Sequence, residues 1–167
     1  YDPYAGAVMD WQSCEVVAVA HGKSDIDMQA SLCKELHDMY DKAYLAPERN
    51  PQGGGVLLIE KLVKAGVTNF YKENAGKPDE KIGWYTNSAN RPTMVQEWRE
   101  VIYKRLAIVR DKQALEEHLT FIQEAGEQPR AVKSAHDDFV MCLSILWQIR
   151  KVMPTADYGV TTVSYRY

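Results

Sequence analysis

The sequence predicts an α/β fold, a sheet covered by helices, and three observations carry that expectation. Two β-like runs, Ala7-Val8-Met9-Asp10 and Glu15 to Ala20, are joined by the polar turn Trp11-Gln12-Ser13-Cys14 and read as a hairpin. Apolar stripes at helical spacing then alternate with short strand-like runs. A closing stretch that opens at Asp137 is hydrophobic on nearly every side, which marks a helix packed over most of its surface.

The elements follow in order. Ser24 or Asp25 can cap a helix whose stripe is Leu32, Cys33, Leu36, Met39 and Tyr40. Tyr44 to Glu48 reads as a short buried strand, and Gly53-Gly54-Gly55 leads into a helix from about Val56 to Ala65, stopped by Gly66. Asn69 to Lys72 is a further strand, residues 73–82 a polar loop, and Gly83 to Thr86 a strand before the turn Asn87-Ser88-Ala89-Asn90. Pro92 suits the first turn of a helix that buries Met94, Val95, Trp98, Val101 and Ile102. Leu106 to Val109 and Leu119 to Ile122 are strand candidates around a charged helical turn, and residues 125–135 form a polar loop. Pro154 ends the last helix, and Tyr158 to Tyr167 is strand-like or irregular.

Composition narrows the function classes. The chain has 167 residues, 46% hydrophobic and 26% charged, the make-up of an ordinary globular domain with a real core. A net charge of −3 offers no bulk basic signal for nucleic acid, so a polyanion partner needs a local basic patch or metal ions at the contact. Cys14, Cys33 and Cys142 are odd in number and form no CxxC pair, which argues for a reducing compartment and against a disulfide framework or zinc knuckle. No apolar run is long enough to span a bilayer, and no membrane partner is expected. The chain begins at Tyr1 without an initiator Met, and the expectation is a piece of a larger protein.

The candidate chemistry lies in acids. In Ala46-Pro47-Glu48-Arg49-Asn50, Glu48 sits where an apolar strand ends, before a Gly-rich turn into a helix. Ligands of open α/β sheets bind outside the carboxyl ends of strands. The plainer reading is that Glu48 pairs with Arg49 or caps the next turn. In His136-Asp137-Asp138, two like charges open an apolar helix. A helix cap explains one aspartate, because its carboxylate meets backbone N–H groups and the positive helix end. It explains two less well. Carboxylates converging from a strand end and a helix start make a hard-oxygen site for Mg²⁺ or Mn²⁺, and two such ions would remove the repulsion and activate water against a phosphodiester. Lys81, Asn87, Asn90 and Arg91 could hold a phosphate backbone beside the helix that begins near Pro92, or could simply form a polar turn and helix start. Lys61 and Glu60 are expected to face solvent, Trp84 and Tyr85 to pack on the sheet, and His21, His37 and His118 to be surface or internally satisfied histidines.

Taken in order, these segments resemble the nuclease domain of the large terminase subunit of tailed phages. The resemblance rests on "EVVAVAHGK" (15–23), "AYLAPERNPQGGGVLLIEKLVKAG" (43–66), "NFYKE" (69–73), "IGWYTNSANRPTMVQEW" (82–98) and "HDDFVMCLSI" (136–145). Each segment alone is weak, and their order and spacing are specific. The resemblance implies a ribonuclease H-like mixed β-sheet flanked by helices, across 1–167 as a single nuclease domain. The family's ATPase motor would lie before Tyr1, and no phosphate-binding Gly-x-x-x-x-Gly-Lys-Ser/Thr loop occurs here.

By position, Glu48 matches the family's second metal-binding acid, and Asp137 or Asp138 its third, with Asp137 the favoured match. His136 and Asn50 would act behind the ligands. Asp2 is either the first catalytic aspartate or a loop aspartate that follows it, in which case the first lies upstream of Tyr1. The implied activity is two-metal hydrolysis of concatemeric double-stranded DNA during genome packaging, in the host cell cytoplasm. The family implies the portal protein and the small terminase subunit as partners. Two alternatives stand beside this reading: a non-catalytic module docking DNA or portal, and a resolvase-like nuclease on the same fold.

Overall fold

The computed structural model describes residues 3–122, 130–131 and 137–153. Its elements are β1 (Pro3–Met9), β2 (Val16–Lys23), α1 (Ile26–Met39), α2 (Gly55–Lys64), β3 (Lys72–Glu73), β4 (Lys81–Ile82), α3 (Arg91–Tyr103), α4 (Lys112–Thr120), β5 (Phe121–Ile122), β6 (Arg130–Ala131) and α5 (Asp138–Arg150). A single 3₁₀ turn, Pro51–Gly53, precedes α2.

The expected hairpin is the longest ladder. β1 and β2 pair antiparallel from Pro3↔Lys23 to Met9↔Val16, with a register irregularity between Val8 and Met9. Asp10 builds the turn: its carboxylate accepts from Ser13 N at 2.7 Å and Ser13 Oγ at 2.8 Å. Those bonds hold the Asp10 carboxyl below its ordinary value. Isolated parallel bridges add to the ladders: Glu15 with Ile108 beside β2, and elsewhere Leu45 with Phe70, Glu48 with Trp84, and Lys72 with Gly83. Helices and strands are mixed as expected, while the described residues form three two-stranded ladders and no continuous wide sheet.

Helix α5 is the centre of the packing. Phe139, Val140 and Leu143 lie in one buried cluster with Trp98 and Val101 of α3, Ala114 of α4 and Val16 of β2. Ala5 and Ala7 of β1 pack against that cluster. Its opposite side supplies Ile145 and Ile149 to a second cluster with Met94 and Val95, against which Tyr44, Ala46, Tyr71 and Trp84 pack. A third cluster, Leu62, Val67 and Phe70, lies under α2 and takes Leu45 and Cys33.

Several sequence expectations are corrected. Residues 73–82 are not all loop: Lys72–Glu73 and Lys81–Ile82 pair as a hairpin. Leu119 and Thr120 belong to α4, not to a strand, and β5 begins at Phe121. Arg130–Ala131 pairs with β5 inside the expected polar loop. Met39 is exposed, because the inner face of α1 is taken by Ala30 and His37. Lys61 is not simply solvated, since it pairs with Asp27 of α1 across the α1–α2 packing. Pro154 and the segment from Tyr158 to Tyr167 lie outside the described residues. Among the described residues no helix is long and apolar enough to cross a membrane.

Candidate functional site

Glu48 is placed by an extended segment, not by a long strand. Leu45 N donates to Asn69 O at 2.9 Å, and Tyr71 N donates to Leu45 O at 2.8 Å. Two residues on, Trp84 N donates to Pro47 O at 2.9 Å and Arg49 N donates to Trp84 O at 2.8 Å. Two glycines hold this backbone at close range. A Cβ on Gly55 would lie 1.9 Å from the carbonyl oxygen of Glu48, and one on Gly83 would lie 2.6 Å from that of Pro47. Only glycine permits both approaches, and Gly83 also has a left-handed φ of 88°. These two residues position the acid, and their signal in the sequence was the Gly-rich turn and the Gly-Trp pair.

Extended backbone alternates its side chains between two faces. Tyr44 and Ala46 face the cluster that contains Met141, Ile145 and Ile149, while Leu45 faces the α2 cluster. Glu48 therefore shares the α5 side with Tyr44 and Ala46. Burial pushes the thiol of Cys142 on α5 up to about 12, with the charges of Cys33, Glu48 and Glu117 adding smaller amounts. Asp138 lies one turn before Cys142 on the same helix face. Glu48 and Asp138 thus approach from two elements toward one side of α5.

The plain reading of Glu48 does not hold. Its neighbour Arg49 pairs with Glu73 and lies over the Tyr85 ring at 4.7 Å, so its charge is spent elsewhere. Glu48 is exposed and has no ion pair or side-chain hydrogen bond among the described residues. Asn50 does not touch Glu48. It clasps the backbone of Thr86, with Nδ2 donating to the carbonyl at 3.1 Å and Oδ1 accepting from the amide at 3.2 Å.

The two aspartates of the doublet separate. Asp137 is the N-cap residue of α5, yet its side chain makes no capping hydrogen bond. It accepts instead from Arg91 Nη2 at 2.7 Å. Arg91 opens α3, so this ion pair joins the starts of two helices. Asp138 is the first residue of α5 and is half-buried. Asn87 closes its own turn, accepting from Ala89 N at 2.9 Å and Asn90 N at 3.0 Å. Lys81 is exposed on β4, at the rim formed by the β3–β4 hairpin. Asp2 and His136 lie outside the described residues, and among those described no group of three or more His, Cys, Asp or Glu is close enough to hold a metal ion. A groove lined by Val8, Asp10, Cys33, Tyr40 and Arg150 lies at the other end of α5 and is a separate feature.

Sequence reasoning missed Glu117. It lies on α4, is only 6% exposed, and accepts from Phe139 N at 2.7 Å. An acid in a Lys/Glu-rich helix gives little signal that it is turned inward.

No family model matches the chain, and no curated protein sequence matches it. Solved structures do. The large terminase nuclease from thermophilic phage G20c superposes with a TM-score of 0.66 at 20% identity, over 88% of this chain and 75% of that one. The large terminase nuclease domain of Thermus phage P74-26 does so with a TM-score of 0.66 at 20% identity, over 89% of this chain and 73% of that one. The chain has the fold of the nuclease domains of phage large terminases, and these are its structural neighbours.

Proposed function

We propose that this domain is a metal-dependent DNA endonuclease of a genome-packaging terminase, with Glu48 and Asp138 as metal ligands. The observation that carries the reading is that the segment leading to Glu48 packs, through Tyr44 and Ala46, against the Met141–Ile145 face of α5, the helix that Asp138 opens. The fold shared with the two phage nucleases supports the same reading. The donor set is all carboxylate, which suits Mg²⁺ or Mn²⁺. When bound, a pair of such ions supplies an activated water and charge neutralisation at the scissile phosphate.

This chain's own residues do the rest. Glu48 and Asp138 hold oxygen donors on rigid elements. Asp137, the favoured match by sequence, has its charge met by Arg91, so we assign it to fixing the helix start and Asp138 to the metal. Arg91, paired with Asp137, and Lys81, exposed on β4, are the cations we assign to a backbone phosphate. Asn50 and Asn87 shape the loops that carry Glu48 and Arg91. Asp2, or an aspartate upstream of Tyr1, would complete the acid set, with His136 beside it. Double-stranded DNA is the substrate of this proposal, and portal protein and small terminase subunit its partners in the host cytoplasm.

The test is plasmid nicking in Mn²⁺, on this chain and on one extended upstream of Tyr1. Glu48→Ala and Asp138→Ala should each abolish nicking in the extended chain. Unchanged nicking by either variant would sink the assignment. DNA binding in Ca²⁺ with no cleavage in Mn²⁺, even by the extended chain, would assign the domain a docking role instead.

A further inference from the structure

We infer that Glu117 is a positioning residue for the acid site, acting through the backbone of α5. The inference rests on the reading of Asp138 as a metal ligand. A helix start leaves its first amides without intrahelical partners. Here the N-cap residue, Asp137, turns its carboxylate to Arg91 and caps nothing. The vacant role is filled from another helix: Glu117 of α4 accepts from Phe139 N at 2.7 Å, across 22 residues of sequence. Phe139 is the residue immediately after Asp138.

This bond is built to be rigid. Glu117 is 6% exposed and Phe139 1%, so little water competes for either partner. A carboxylate on a backbone N–H is a charge-assisted bond, and the positive end of α5 favours the charge. Helix α4 is itself fixed at both ends. Asp111 caps it through Ala114 N at 2.9 Å, and His118 accepts from Trp98 Nε1 at 2.6 Å. Trp98 belongs to α3, whose first residue, Arg91, holds Asp137. The start of α5 is therefore clamped from two sides, by Arg91 on the residue before Asp138 and by Glu117 on the residue after it. Both bonds restrain the backbone that carries Asp138.

The experiment measures Mn²⁺ affinity by calorimetry and the exchange rate of the Phe139 amide by NMR, in the upstream-extended chain. Glu117→Ala should weaken Mn²⁺ by about 10- to 100-fold, the usual cost of losing a residue that orients a ligand. It should also speed exchange at Phe139. Glu117→Gln keeps a carbonyl acceptor and should restore both readouts to near the wild-type values. If Glu117→Ala fails to fold, Glu117→Asp, which shortens the arm, takes its place with the same expectation. Wild-type Mn²⁺ affinity in Glu117→Ala or Glu117→Asp overturns the inference. So does loss of Mn²⁺ in Glu117→Gln as complete as in Glu117→Ala, because Glu117 would then act by its charge as a ligand. Asp138→Asn separates the two readings: if it binds Mn²⁺ like wild type, the metal-site proposal itself has failed, whatever Glu117 does.

Discussion

The carbonyl oxygen of Glu48 occupies the space a side chain on Gly55 would need, 1.9 Å from the ideal Cβ position. The obstacle is backbone, not a flexible side-chain end, so neither partner can yield cheaply. Gly55→Ala should therefore cost about 1–3 kcal/mol, the range for overpacking a tight contact. Gly53, with nothing within 4 Å of its Cβ position, is the control. Gly53→Ala should stay within about 0.5 kcal/mol of wild type. Urea denaturation of the two variants decides it, and equal midpoints would contradict the close approach.

The Arg91–Asp137 pair makes a smaller prediction. Their side chains are 30% and 29% exposed, so water screens the attraction. A double-mutant cycle with Arg91→Ala and Asp137→Ala should return a coupling of about 0.2–1 kcal/mol, shrinking as salt rises. A coupling indistinguishable from zero at low salt would mean that the two helix starts are not joined there.

His118 gives a pH signature. Trp98 Nε1 can only donate, so Nε2 of His118 must accept, and Nδ1 faces Ala114 O. Only the neutral ring satisfies both, and burial holds its pKa below the ordinary 6.5. The sign follows: the unfolded ring protonates first as pH falls. Stability is full above about pH 6.5 and drops as pH goes through that value toward the lower folded one. The urea midpoint should fall between pH 7.5 and 5.5, and His118→Gln should flatten that slope. An unchanged slope in the variant would assign the effect to other groups.

The packing of α5 supplies the last prediction. Leu143 is fully buried between α3 and β1. Leu143→Ala should cost about 2–5 kcal/mol by transfer and cavity terms together. Val152→Ala, just beyond the helix and 58% exposed, should change the midpoint little. Thermal unfolding of the pair checks both.

How far the sequence reveals this structure depends on the range of the interactions involved. The β1–β2 hairpin, the Asp25 cap and the stripe of α3 are local, and periodicity exposes them. Glu48 at a strand end was legible because the apolar run and the glycines bracket it. The short β3–β4 hairpin was not, since two residues per strand leave no alternation to read. The helical turn that forms α4 was legible, but its inward face was not: Leu115 and Leu119 are exposed, while Ala114 and Glu117 turn inward. The division of labour between Asp137 and Asp138 depends on Arg91, 46 residues away, and no local pattern encodes it.

One contact closes the chain upon itself. Arg150 Nε donates to Trp11 O at 3.0 Å, across 139 residues, where the last described helix meets the first hairpin. Glu48 and Asp138 are likewise far apart in sequence, one before α2 and one at the start of α5. While a ribosome is still making this domain, the hairpin and α2 can form, but the acid on α5 has not yet emerged. Nascent chains and prematurely terminated products therefore carry Glu48 without Asp138. On the proposed reading, the acid pair is completed only once α5 has been made.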